Sequence, residues 1–460
     1  MNASRRAFLQ RASALSMAGA AAPWAMSLAA MAEASAADAT GYKALVCVFL
    51  YGGNDYANTL TPYDPDNYAR YQALRPVLAH AREALAATVL NPVAAPLDSA
   101  GFAHQYALAP TLGALNPLFD AGRLAVLLNV GTLVQPTTKA QYSAKSVKLP
   151  PKLFSHNDQQ SVWQSSLPEG ATSGWGGRMG DLFESSNANS TFTCVNVAGN
   201  AVFMAGRRVA QYQVSTSGSV PLSGLKNRLF GSSAGSEALR TLVTQPRKHM
   251  LENEINRISK RSIDANETLT AALASSPALT TAFPTGNSLA DQLKMVARMI
   301  GAAPALGVKR QVFFVSLGGF DTHDALTTDH PVLMGKLGAA LAAFDAATIE
   351  LGVSDKVTSF TASDFGRTLT GNSNGSDHGW GSMHFVLGGA VQGRRFYGTA
   401  PVVANNGPDD VGQGRLLPTT SVEQLAATLG GWLGVSDSEL LSLLPNLSNY
   451  NPSARRLGIV

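Results

Sequence analysis

Charge is scarce in this 460-residue chain: Asp, Glu, Lys and Arg together make up 14%, and the formal net charge is only +4. Part of that excess lies in the first eleven residues, so the rest has no basic balance of the kind that binds nucleic acid. Cysteine is scarcer still, with Cys47 and Cys194 alone. Neither has a CxxC or Cys/His neighbour, which argues against a zinc–thiolate site. Both sit in apolar runs, ALVCVFL and TFTCVNV, and read as buried free thiols, with a disulfide the alternative in an oxidising compartment. No GxSxG elbow, Walker loop or strand-following GxGxxG is present, and no repeat of fixed period. What remains is 45% hydrophobic, enough for a large core in one big α/β domain with insertions or in two ordinary domains.

The N-terminus does not read as fold. SRRAFLQ at residues 4–10 is a twin-arginine pattern, followed by an uncharged Ala/Gly/Ser-rich stretch over 12–32 and by Ala34-Ser35-Ala36 before Ala37. The stretch is long enough for a membrane anchor. It is poor in Leu, Ile and Val and contains Pro23, so a cleaved signal over 1–36 is the reading preferred here. The mature chain, 37–460, is then expected to leave the cytoplasm already folded, through the twin-arginine translocon, for the periplasm or beyond.

Short β-branched and aromatic runs predict strands at 43–50, 124–130, 191–197, 311–316 and 357–361, with a further apolar run at 385–387. Between them, helical periodicity predicts helices over 112–119, after Ser155, from a Ser288 cap, over 333–351 and over 421–433. Residues 215–285 turn Ser-rich and then helical and basic, as an insertion would. Alternating strands and helices predict an α/β fold with a mainly parallel sheet flanked by helices.

Acids and imidazoles gather where the apolar runs end, the edge at which open α/β sheets bind ligands. KALVCVFLYGGND ends on Asp55, whose simpler reading is a turn residue. QVFFVSLGGFDTHD ends on Asp321, His323 and Asp324; Asp321 and His323, two apart in an extended segment, face one side. They suit half of a zinc or manganese site, or an ordinary Asp–His hydrogen bond. Asp364 is a further candidate ligand, and Arg367 a planar clamp for an anionic substrate, unless the two form an ion pair. Asp377 and His378 lie in a Gly/Ser/Asn-rich loop, where binding residues concentrate. His384 enters an apolar run and reads as a core histidine. Ser155, at a predicted helix start, is the candidate nucleophile, and a plain N-cap would look the same.

Several ordered motifs are together similar to a bacterial, twin-arginine-exported family, the domain-of-unknown-function family 1501. They are FLYGGNDYANTLTPYD, FSHNDQQSVWQSS with GWGGRMGD, LGGFDTHD, SDFGRT with GSDHG, FVLGGAVQGRRFYG, and the C-terminal TTSVEQLAATLGGWLGVSDSELLSLLPNL. That family in turn resembles, remotely, the alkaline phosphatase and sulfatase superfamily. The resemblance implies an alkaline-phosphatase-like sheet with a two-metal site at its C-terminal edge. Asp55 and Asp364 would hold one divalent ion (zinc, manganese or magnesium), and Asp321, His323 and His378 the other, with Ser155 as nucleophile. Two departures leave one site incomplete or single-metal, so one or two ions are expected: Asp321 and His323 are two apart where superfamily members usually use four, and Phe365 stands where a His usually follows the acid. CxPxR is missing, which disfavours a formylglycine sulfatase. The expected activity is hydrolysis or transfer of a phosphate or related anionic ester; the alternative is an exported binding protein that keeps the fold.

Overall fold

Every residue of KALVCVFL after Lys43 is buried, because the strand it forms has an apolar layer on each face. Ala44, Val46, Val48 and Leu50 enter one core, while Leu45, Cys47 and Phe49 enter the other. Burial on both faces removes the polar alternation of a one-sided strand and leaves a continuous hydrophobic run. The computed structural model describes residues 41–219 and 221–460; the expected signal segment, 1–36, lies outside the described residues.

The strands in chain order are β1 (Lys43–Leu50), β2 (Leu60–Pro62), β3 (Tyr106–Leu108), β4 (Leu124–Gly131), β5 (Cys194–Asn196), β6 (Tyr212–Gln213) and β7 (Arg310–Leu317). There follow β8 (Val357–Ser363), β9 (Arg367–Asn372), β10 (Gly375–His378), β11 (Ser382–Leu387), β12 (Arg395–Tyr397) and β13 (Thr420–Ser421). The main sheet runs β12-β4-β11-β8-β1-β7-β5-β6, with β13 beside β4. β1 pairs in parallel with β7 and β8, β5 with β6 and β7, and β4 with β12 and β13. β11 runs antiparallel to both β4 and β8. The sheet is therefore mixed, mostly parallel, and flanked by helices.

Some local expectations shift. Residues 112–119 are a 3₁₀ turn, Pro110–Leu115, leading into the short helix Asn116–Asp120. The helix Ser288–Gly301 is capped by Asn287, whose side chain accepts from the Leu289 and Ala290 amides, and not by Ser288. Ser421 caps Val422–Leu433 with a full capping box. Asp377 and His378 do not lie in a free loop: β9 and β10 form an antiparallel hairpin beyond β8. Residues 223–275 carry the helices Ser223–Lys226, Ser233–Thr244 and Met250–Ser275. Cys47 and Cys194 are free, buried thiols on different strands, so no disulfide joins them.

Asp55 ends the first strand–loop unit in a structural role. Its Oδ1 caps the short helix Tyr56–Thr59 through the Asn58 amide, and its two oxygens receive the Arg75 guanidinium at 2.7 and 2.5 Å. Ser376 donates to the same carboxylate at 2.6 Å. Burial alone would raise the Asp55 pKa, but the Arg75 charge and hydrogen bonds outweigh it and hold the carboxyl well below the usual range. We expect Arg75→Met to cost about 3–5 kcal/mol in urea unfolding, since it strands a buried carboxylate. A depressed folded-state pKa means that the unfolded chain takes up the proton first. The Asp55 contribution therefore stands above about pH 4 and drains away as the pH falls toward the folded-state pKa. An Arg75→Met protein whose stability matched the wild type at pH 7 would contradict this.

Candidate metal centre

Four side chains from three separate segments converge at the C-terminal edge of the sheet. His156 opens the helix His156–Ser165, Asp321 and His323 follow β7, and His378 ends β10. His378 Nε2 lies 3.0 Å from His156 Nε2 and 2.8 Å from His323 Nε2. Asp321 Oδ1 lies 3.4, 3.1 and 3.4 Å from the Nε2 atoms of His156, His323 and His378. A tetrahedral zinc ion with bonds of about 2.0–2.1 Å has ligand–ligand edges of about 3.3–3.4 Å. The side chains whose ligand atoms all lie within 4.8 Å of one another, as a shared cation needs, are His156, Asp321 and His378, with His323 adjoining the last two.

The second ring nitrogens decide what this cluster can do. His156 Nδ1 meets Asp364 Oδ2 at 2.6 Å, His378 Nδ1 meets the Phe154 carbonyl at 2.8 Å, and His323 Nδ1 meets Asp377 Oδ1 at 3.2 Å. Each of these partners can only accept, so each Nδ1 carries the proton and, in the neutral ring, each Nε2 is left with a bare lone pair. Bare lone pairs and a carboxylate oxygen facing one another repel unless a proton or a metal cation lies among them. Carboxylate or carbonyl support behind a ligating imidazole is the arrangement that fixes such ligands for a metal. A set of imidazoles with one carboxylate could hold a divalent ion.

Electrostatics favour an ionised Asp321 and a neutral His378, but a protonated His156. Burial opposes ionisation of Asp321, but the hydrogen bond and charge of Arg367, with His156 and His323, outweigh it and lower the pKa. Burial, joined by the positive surroundings, lowers the His378 pKa and favours the neutral ring. The hydrogen bond to Asp364 raises that of His156. The Asp321 side chain is 49% exposed, so the cluster opens to solvent.

Of the expected ligands, Asp321, His323 and His378 are brought together. Asp55 is not among them, because both of its oxygens are committed to Arg75. Asp364 and Asp377 stand behind the imidazoles. Asp364 Oδ2 also accepts from Gln160 at 2.8 Å and from the Gly52 amide at 3.1 Å. Asp377 Oδ1 also accepts from Asn372 at 2.9 Å. Arg367 is no substrate clamp: fully buried, it donates to the carbonyls of Gly52 and Ser376 and to Asp321. Ser155 donates to Asp158 at 3.0 Å. His384 is buried against Trp163, and burial lowers its pKa to about 3. His156 was not among the expected ligands; the structure sets it and Gln160, four apart on one helix face, both against Asp364.

Glycines let these segments meet. A side chain on Gly52 would collide with the Asp321 amide, and one on Gly53 with the Phe365 ring; both have positive φ, +117° and +79°. Phe365 packs against His156 and His378 with ring centroids 4.7 and 4.8 Å away. The aromatic at the position where a His was expected is thus a wall of the cluster.

Residues 42–444 match the model of a family described as protein of unknown function (DUF1501). No curated protein matches the chain by sequence. Among solved structures the chain is similar to Ps i-CgsB in complex with k-i-k-neocarrahexaose, at 10% identity and TM-score 0.36, over 90% of this chain and 78% of that one. It is similar to the PsFucS1 sulfatase from Pseudoalteromonas sp. at 10% identity and TM-score 0.34, over 93% and 74%. A mutant of the alkaline phosphatase PafA gives 11% identity and TM-score 0.28, over 72% and 64%.

Two substitutions separate direct ligands from their supports. His378→Ala should abolish binding of zinc or manganese, and Asp364→Asn should weaken it about 10–100-fold, read by metal titration in calorimetry. Equal affinities in wild type and His378→Ala would exclude the cluster as a metal site.

Proposed function

The chain belongs to the DUF1501 family, and we propose that it is an exported hydrolase or transferase that uses one divalent metal ion to act on a phosphate or related anionic ester. The observation that carries this reading is the pair of Nδ1-anchored imidazoles, His156 and His378, whose Nε2 atoms meet the Asp321 carboxylate, with His323 beside them. Neutral imidazoles and one carboxylate leave a divalent ion with net positive charge, so the site draws an anionic group. Zinc or manganese is the preferred ion. Such an ion supplies Lewis-acid polarisation of an ester oxygen and lowers the pKa of a hydroxyl beside it.

The chain's own groups set the geometry of the reaction. Arg367 holds Asp321 in place through a 3.0 Å hydrogen bond while tying down the Gly52 and Ser376 backbones. Ser155 lies at the start of His156–Ser165, a helix end with no side-chain cap, where exposed amides favour an anion. In this proposal Ser155 Oγ attacks the ester centre, its proton passes to Asp158, and the alcohol departs and takes a proton from solvent. Water or an acceptor alcohol then cleaves the seryl ester, giving its own proton to solvent while Asp158 returns the proton to Ser155 Oγ. Asp158 is buried and already accepts that hydrogen bond. The second reading, a non-catalytic binding protein on the same fold, draws on that same contact, since a serine settled on an acid also describes an inert helix start.

The readings part on three measurements. Chelator should lower the melting temperature and added zinc or manganese restore it; metal at a hundred times its Kd contributes about 2.7 kcal/mol by linkage. Wild type should turn over aryl phosphate mono- or diesters, and Ser155→Ala should lose at least about 100-fold in kcat with its metal content unchanged. A melt indifferent to chelator, with no turnover of any phosphate or sulfate ester, would leave the binding protein as the answer. For export, replacing Arg5 and Arg6 by lysine should retain the precursor in the cytoplasm; unchanged export would remove the twin-arginine route.

A further inference from the structure

If an anionic ester meets this cluster, some cation must receive its negative oxygens, and the guanidinium expected to do so is spent. Arg367 is fully buried and its hydrogen bonds go to backbone carbonyls and Asp321. Arg75 is closed on Asp55, and Lys152 reaches Asp158 at 3.5 Å. Arg415 is differently placed. Its Nε donates to the carbonyl of His378 at 2.8 Å, and its guanidinium lies over the Phe154 ring at 5.1 Å from the centroid. Both neighbours belong to the cluster, because the Phe154 carbonyl is what anchors His378 Nδ1.

Arg415 also carries an uncompensated charge. Its side-chain hydrogen bonds go to carbonyls, those of His378 and, at 3.3 Å, Gly412, and among the described residues it forms no salt bridge with a carboxylate. The nearest acid in sequence, Asp410, spends its oxygens on the amides of Asn406, Gly412 and Gly414. The perch itself is strained. Phe154 has φ +72°, the left-handed region that a bulky residue enters only when its surroundings compel it. That conformation accompanies one carbonyl aimed at His378 and one ring set beneath Arg415. Only partly buried, Arg415 is open to a ligand from solvent.

We propose that Arg415, stacked on Phe154 beside His378, is the residue that binds the anionic group of the substrate. This deepens the hydrolase reading and rests on it. The planar fork of arginine suits the paired oxygens of a phosphate or sulfate, and the aromatic face beneath it holds the fork in plane.

The test uses the full mature protein, loaded with zinc or manganese, and inorganic phosphate as probe. Arg415→Met should bind phosphate about tenfold to hundredfold more weakly in calorimetry, the range expected for a lost charged hydrogen bond, with metal content equal to wild type. Arg415→Lys keeps the charge without the fork and should fall between the two. If Arg415→Met fails to fold, the lysine variant alone carries the comparison. Unchanged phosphate affinity in the variants, or wild type that takes metal yet binds no phosphate, would overturn the assignment. A wild type that takes no metal defeats the hydrolase reading instead. Phosphate titration of that metal-free protein then decides Arg415: a loss in Arg415→Met upholds it, and no binding removes it.

Discussion

The buried guanidinium of Arg367 is the constraint on which the C-terminal edge depends. A charge with no exposure must have its donors satisfied, and here three segments from distant parts of the chain satisfy them: Gly52 after β1, Asp321 after β7 and Ser376 in β10. Each of these segments also carries something the cluster uses. Gly52 gives its amide to Asp364, Asp321 is a candidate ligand, and Ser376 precedes Asp377 and His378 while bonding to Asp55. Satisfying one cation therefore sets the register of three loops at once. Asp55 and Arg75 form a second buried ion pair, which Ser376 joins to the same edge through its hydrogen bond to Asp55.

Much of the sheet was legible because it is buried on both sides. β1 reads as an apolar run after Lys43, β4, β7 and β8 as short runs rich in β-branched, aliphatic and aromatic residues with few charges, and their bounds lie within two residues of the expected ones. The direction of β11 was not legible: an apolar run of that length fits either orientation, and the choice is made by its pairing with β4 and β8. At the site, the residues that follow glycine at strand ends gave Asp321, His323 and Asp364 a common address. What the sequence could not show was which of them touch the ion. Asp55 and Arg75 are twenty residues apart and Asp364 and His156 more than two hundred, so neither pairing leaves a local trace. A carboxylate that ligates and one that braces an imidazole look alike as letters.

That distinction changes the chemistry. An edge read as six ligands rich in carboxylates suits two hard cations. With Asp364 and Asp377 turned to Nδ1 atoms and Asp55 paired with Arg75, the inner set becomes imidazoles and one acid: His156, His378 and Asp321, with His323 beside them. The carboxylates still act on the site, through ring orientation and basicity, from one bond further away. Phe365 fits the same scheme: in place of another imidazole, its ring packs against two that are already held.

The single antiparallel strand has a consequence for how the chain is laid down. In a strictly parallel sheet, the segment after β8 would have to travel back along a helix to the opposite edge before starting the next strand. Because β11 runs the other way, the chain leaves β8, forms the β9–β10 hairpin and enters β11 without ever quitting the edge. Residues 364–381 are thereby spent wholly on the rim, and Asp364 and His378 are brought there by short-range contacts of the kind that form fast. Lengthening or trimming the hairpin tip around residues 372–375 would alter the approach to the cluster while leaving the sheet beneath it undisturbed.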